Sequence, residues 1–148
     1  MQTLLVAIKS ALQTRVSQVR DGDVFITPSA NFIPAGVKST LAIGIKDGTV
    51  TMKDLTCGVV EKTLQVQVIV FIRLQKPEAA IIGDPSTSSL GVLAAIDAIE
   101  AVLTDNLLAI SGLIAARPVA ESASELFVGD AGSAWQTKTI TYDYTWEG

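Results

Sequence analysis

The sequence predicts an α+β fold of two layers: a mixed, mostly antiparallel sheet with two helices packed on one face. Three observations carry this expectation. Two segments, near the start of the chain and around residues 90–103, hold apolar residues at helical spacing. Several others hold them at every second position, the period of a half-buried strand. The strand-like segments also follow one another through turn signals instead of alternating singly with helices, as in an antiparallel sheet. At 148 residues the whole chain, 1–148, is expected to form one domain, since a single core still grows at this size.

Each element follows from its residues. Leu5, Ile8, Leu12, Val16 and Val19 fall on one stripe and predict an opening helix. Asp21-Gly22-Asp23 is expected to end it, with Gly22 as a left-handed cap. Val24 to Thr27 predicts a short strand closed by Pro28. Residues 28–36 read as a loop, because Pro28 and Pro34 have no backbone donor, and this loop carries Phe32 and Ile33. Leu41, Ile43 and Ile45, then Val50 and Met52, alternate on either side of Asp47-Gly48. That dipeptide suits the positive φ angles of a type I′ turn, so a hairpin over 41–55 is predicted to reverse there.

Thr63 to Leu74 is the plainest strand, roughly 40 Å long at the usual rise. Its even positions are all apolar; Ile69 and Phe71 also make the middle of its other face apolar, so something is expected to cover that middle. Residues 75–89 form a loop of about fifteen residues, a length that marks binding or gating segments, and contain Ile81 and Ile82. A second helix is predicted from a Ser88 or Ser89 cap, with Leu90, Leu93, Ile96, Ile99 (or Ala98), Val102 and Leu103 inward and Asp105-Asn106 at its end. Strands are expected near Ile114 and at Glu125 to Val128, with Ser/Ala/Gly-rich sequence to Ser133. Ile140, Tyr142, Tyr144 and Trp146 alternate in a final strand.

Composition narrows the function. Hydrophobic residues make up 49% and charged residues 18%, with net charge −4. An average soluble domain carries about 25% charged residues, so part of this surface is expected to be apolar and to face another subunit. With no histidine, Ser-His-Asp and Cys-His catalysis and imidazole zinc sites drop out. The single Cys57 excludes a disulfide framework and paired-cysteine motifs. The acidic balance argues against a dedicated nucleic-acid binder. Met1-Gln2-Thr3 is no positively charged signal region and no apolar run reaches the ~20 residues of a membrane span, so a cytoplasmic setting without membrane is expected.

Candidate chemistry is sparse. Gly44, Gly48 and Gly58 match turn spacing and no phosphate-binding motif. Asp21/Asp23 and Asp97/Glu100 could hold a cation, but without calcium-loop spacing they read as a helix end and a solvated helix face. Cys57 lacks a histidine to activate it, with only Lys53 or Lys62 near in sequence, and reads as a small buried hydrophobe. Ser86-Thr87-Ser88-Ser89 could bind an anion at a helix start, or merely cap it. Trp135, Tyr142, Tyr144 and Trp146 could stack bases or sugars; without a basic surface they read as packing residues. No catalytic residues, metal or cofactor are expected.

The order of these features resembles the tail terminator (tail completion) proteins of tailed bacteriophages. The resemblance rests on the Leu5-Ile8-Leu12 helix and the Phe32-Ile33-Pro34 loop leading into Leu41-Ile43-Ile45. It continues through the Val66-Val68-Val70 strand, the Leu93-Ile96-Ile99-Leu103 helix with its Asp105-Asn106-Leu107 end, and the Tyr142-Tyr144-Trp146 finish. It covers most of the chain but not Ala115 to Ser133. The resemblance implies a non-enzymatic virion protein of the tail or neck, assembled in the host cytoplasm. It implies a hexameric ring that caps the tail tube, ends tube polymerisation and meets neck and connector proteins, while DNA passes the lumen without specific binding. Phe32, Ile33, Ile69, Phe71, Ile81 and Ile82 are the expected residues of subunit and partner interfaces, being large apolar groups beyond the domain's own pattern. Two rivals stand beside this reading. One is a head-completion or connector protein of the same neck; the other is a small cytosolic ligand-binding α+β domain.

Overall fold

The computed structural model describes residues 1–37, 39–86, 90–128 and 133–147. The opening helix α1 spans Gln2–Arg15 and buries Leu4, Ile8 and Leu12. It stops before the apolar stripe does. Val16 is already extended, yet Val16 and Val19 stay buried, because the chain keeps its apolar side to the core after leaving the helix. Gly22 is no left-handed cap; it lies in a short 3-10 turn, Asp21–Asp23.

Strand β1 is Val24–Ile26, β2 Leu41–Asp54 and β3 Val60–Arg73. The predicted hairpin is present, but its reversal is not at Asp47-Gly48. Pairing runs on past that point, from Asp47 opposite Val66 to Val50 opposite Leu64, with one extra residue on β2. The dipeptide therefore makes a β-bulge. A Cβ on Gly48 would stand 2.8 Å from the Gln65 carbonyl oxygen, which explains the glycine. The chain reverses at 55–59, where Cys57 (φ 67°) and Gly58 (φ 75°) both take the left-handed conformation and the Leu55 N–H donates to the Val59 carbonyl at 2.8 Å.

The segment after β3 contains a short helix α2, Pro77–Ile82, where the residue pattern predicts loop. Helix α3 is Val92–Leu103, capped by Gly91; Ser88 and Ser89, the predicted caps, lie outside the described residues. A Cβ on Gly91 would overlap the Ile81 carbonyl, so α2 and α3 meet there without room for any side chain. Leu93 points outward, and Val92 and Ala95 take inward places instead. The helix ends as predicted: Asn106 Nδ2 donates to the Val102 carbonyl at 2.8 Å and Asn106 Oδ1 accepts from the Leu108 N–H at 2.9 Å.

Strands β4 (Leu113–Glu121), β5 (Glu125–Val128) and β6 (Ala134–Glu147) complete the sheet. The order is β1-β2-β3-β6-β4, with β5 pairing the other end of β6. Among the described residues β1 and β2 pair in parallel and the other pairings are antiparallel. This is the α+β architecture expected, a mixed sheet with helices against it. Helices α1 and α3 pack on the face presented by Leu64, Val66, Val68, Val70 and Ile72 of β3 and by Ile140, Tyr142 and Tyr144 of β6.

Candidate assembly surfaces

The face of the sheet away from the helices carries a second, smaller core. Ile69 and Phe71 of β3 pack there with Phe25, Val37, Ala42 and Trp135, flanked by Ala30, Ile33 and Phe127. The cover expected over the middle of β3 is thus the chain's own 27–37 loop. Ile69 and Phe71 are 1% and 0% exposed, with the Phe71 ring 6.1 Å from that of Phe25. The expectation that these two residues are buried between subunits is corrected: burial inside the one chain already accounts for them.

The loop is held at both ends by polar groups. Asp23 is fully buried; its Oδ1 accepts from Arg20 Nη2 at 3.0 Å and its Oδ2 from the Ser39 N–H at 3.1 Å. Arg20 is half exposed, so the pair sits at a boundary, and the backbone bond to Ser39 makes Asp23 a clasp on the loop's return. Thr27, also buried, donates its hydroxyl to the Ser29 carbonyl at 2.8 Å and starts the turn. The sequence reading set Asp21 and Asp23 together as a possible cation pair. The structure separates them, Asp21 being exposed.

Between this loop, the end of β3 and strands β5 and β6 lies a concavity of about 560 Å³, within the range of sites that hold small ligands or peptide side chains. Its apolar walls include Phe32, Ile33, Val37, Phe127 and Trp135, and its polar groups include Arg73 and Asn31. The Arg73 guanidinium carbon stands 4.8 Å from the Trp135 ring centroid, a cation–π contact. Arg73 Nε is buried and makes no hydrogen bond. Arg73 did not stand out in the sequence. Arg73 continues the odd side of the strand, as Gln65 and Gln67 do, and only the topology brings Trp135 and the loop to it.

The remaining expected surface residues divide. Phe32 and Ile82 are 47% and 61% exposed, while Ile33 and Ile81 are partly buried. Phe32 and Ile33 line the concavity; Ile81 and Ile82 lie on α2, which packs on α3. Further exposed apolar groups are Val50 and Met52 beyond the bulge, Leu93 on α3, and Ile114, Val119, Leu126 and Val128 on β4 and β5.

The chemical candidates do not gather. Cys57 is exposed at the tip of the β2–β3 hairpin, so its reading as a buried hydrophobe is corrected: the turn sets it outside the core. Asp97 is exposed and Glu100 half-buried on α3. Among the described residues, no three acidic or cysteine side chains stand close enough to hold a metal ion. The four aromatics divide between the two sides of the sheet. Tyr142, Tyr144 and Trp146 join the helix-side core; Trp135 joins the other. Lys62 stands 5.2 Å over the Trp146 ring. Burial raises the Tyr142 phenol above its ordinary value, partly offset by its 2.9 Å hydrogen bond with Thr104 Oγ1. Burial raises Tyr144 much further, and its hydroxyl has no partner.

Fold and surfaces together define an α+β protein whose accessible features include apolar edges and a concavity beside a held arginine. No protein-family model matches the chain, and no curated protein matches it in sequence. One chain of a solved structure described as the virion of a native gene transfer agent (GTA) particle is similar in fold. The TM-score is 0.57 at 13% sequence identity, over 98% of this chain and 95% of that one. At such identity the likeness shows the shared fold.

Proposed function

We propose that this chain is a structural, non-enzymatic protein of a phage-like virion, and within it the subunit of a ring that caps the tail tube and joins it to the head or neck. The observation that carries the reading is the end-to-end fold likeness to a chain of a gene transfer agent virion. The order of sequence features, which resembles tail terminators, supports it independently. So does the low charge with large apolar side chains left outside: Phe32, Met52, Ile82, Leu126 and Val128 are each more than 45% exposed. A lone soluble molecule gains nothing from such groups, whereas an assembly covers them. The ring is proposed as a hexamer, with the exposed apolar groups meeting neighbouring copies, tube and neck proteins, and with DNA passing a lumen that does not bind it specifically.

Native mass spectrometry tests the ring. Six chains of 15.5 kDa give about 93 kDa, and closed cyclic symmetry predicts a discrete species at that mass. Charge substitution at Phe32 and at Ile81 is expected to lower that species in favour of monomer. A wild-type chain that stays monomeric both alone and with preformed tail tubes would overturn the reading.

A further inference from the structure

Among the described residues the sheet shows four free stretches of strand edge, unequally protected against pairing. β1 is three residues long. The outer edge of β2 beyond it carries Lys46, Lys53 and the bulge at 47–50. β4 carries Arg117, Pro118 and two register shifts. Short edges, charges, prolines and bulges are the common protections against edge-to-edge pairing. β5 is also short, at four residues, and begins with the charge of Glu125, but it carries no lysine, proline or bulge. Its register with β6 is regular through Leu126, Phe127 and Val128, and among the described residues it pairs with β6 alone. From Leu126 onward it is apolar on both faces: Leu126 and Val128 are 60% and 62% exposed on one, Phe127 lies on the other, and both Phe127 and Val128 line the concavity beside Arg73.

We propose that the β5 edge and the adjoining concavity form one site, which takes an extended segment of a partner protein as an added strand. Side chains of such a segment alternate in direction. Those on one side cover Leu126 and Val128; those on the other cross Phe127 into the concavity. There Arg73, held over Trp135 and lining the concavity, calls for a carboxylate, because a guanidinium pairs best with a carboxylate fork. The segment is therefore an alternating apolar one with a single acidic residue on the Arg73 side. This deepens the assembly reading and rests on it only for where the segment comes from.

The test uses the full-length chain and two capped heptapeptides that alternate valine with threonine and carry aspartate or asparagine at the centre. The chain has two tryptophans, so the indole N–H signals in a nitrogen–proton correlation spectrum separate the two faces. The aspartate peptide is expected to shift the Trp135 signal and leave that of Trp146 in place, with the asparagine peptide at least about tenfold weaker. Arg73→Gln should abolish the difference. Leu126→Lys and Val128→Lys alter exposed side chains, so the fold should survive while both peptides weaken. Equal affinity for the two peptides, or no Trp135 response at millimolar concentration, overturns the site. If Leu126→Lys disperses a self-assembled species and no peptide binds, a second copy occupies the edge and the partner segment is wrong. A ring that forms normally without peptide binding removes this inference and leaves the assembly reading standing.

Discussion

Two tyrosines two residues apart on β6 should answer the same substitution with opposite signs. Both are fully buried, their rings 6.0 Å apart. Tyr142 shares a 2.9 Å hydrogen bond with Thr104, whereas the Tyr144 hydroxyl has no partner. A buried hydroxyl without a partner costs about 1–3 kcal/mol, and the gap left by one missing oxygen returns only part of that. Tyr144→Phe is therefore expected to stabilise the chain by about 1 kcal/mol. Tyr142→Phe gives up one neutral hydrogen bond and should cost about 0.5–1.5 kcal/mol, the exposed Thr104 hydroxyl being left to water. Urea denaturation with an unchanged slope measures both. A Tyr144→Phe variant less stable than Tyr142→Phe would refute the reasoning, because Tyr144 would then hold a bond that its surroundings do not show.

Other consequences can be measured in the same preparation. Phe71→Ala should destabilise the isolated subunit by about 3–5 kcal/mol, since the ring is buried within its own chain, while Ile82→Ser should move stability by less than about 0.5 kcal/mol. Gly112→Ala should cost at least about 1–3 kcal/mol, because φ is 87° there and a Cβ would overlap the Trp146 indole; tryptophan fluorescence would report the displaced ring. Stability should also fall in alkali. Below the ordinary phenol value of about 10, folded and unfolded states both keep the Tyr144 proton, and pH has no leverage through this group. Above it the unfolded chain ionises first, so stability falls by up to about 1.4 kcal/mol per pH unit until the raised native value is reached. Denaturation midpoints for wild type and Tyr144→Phe at rising pH would separate this contribution from the rest.

Period and punctuation in the sequence carried most of the architecture. The alternation over residues 63–74 matches β3 up to its last residue, Arg73, that over 140–146 falls inside β6, and the Glu125 to Val128 strand was placed residue for residue. The errors have physical causes. Asp47-Gly48 satisfies a bulge as well as a turn, since both need a small residue beside a neighbouring backbone. The real reversal depends on Cys57 at positive φ, which residue type does not announce. The residue pattern overextends the first helix because buried Val16 and Val19 keep the apolar stripe going through the turn that follows it. Of the residues expected at subunit and partner interfaces, Phe32 and Ile82 are exposed on the single chain, whereas Ile69 and Phe71 disappear under a loop whose path no local pattern specifies. Arg73 was passed over for a related reason: its meaning comes from Trp135, sixty-two positions on in the chain but directly opposite on the adjacent strand.

The extra residue in β2 works as a phase shifter. Up to Asp47 the odd positions of that strand share the helix-facing side of their β3 partners; from Val50 onward the even positions do. Loss of any one residue within β3 would throw every later side chain onto the wrong side of the sheet. Loss of Thr49 would merely iron out the kink and leave each pairing on both sides of it intact. This stretch is where the scaffold can absorb a change in length, so related chains could trim or lengthen the protruding arm here and keep their cores in step.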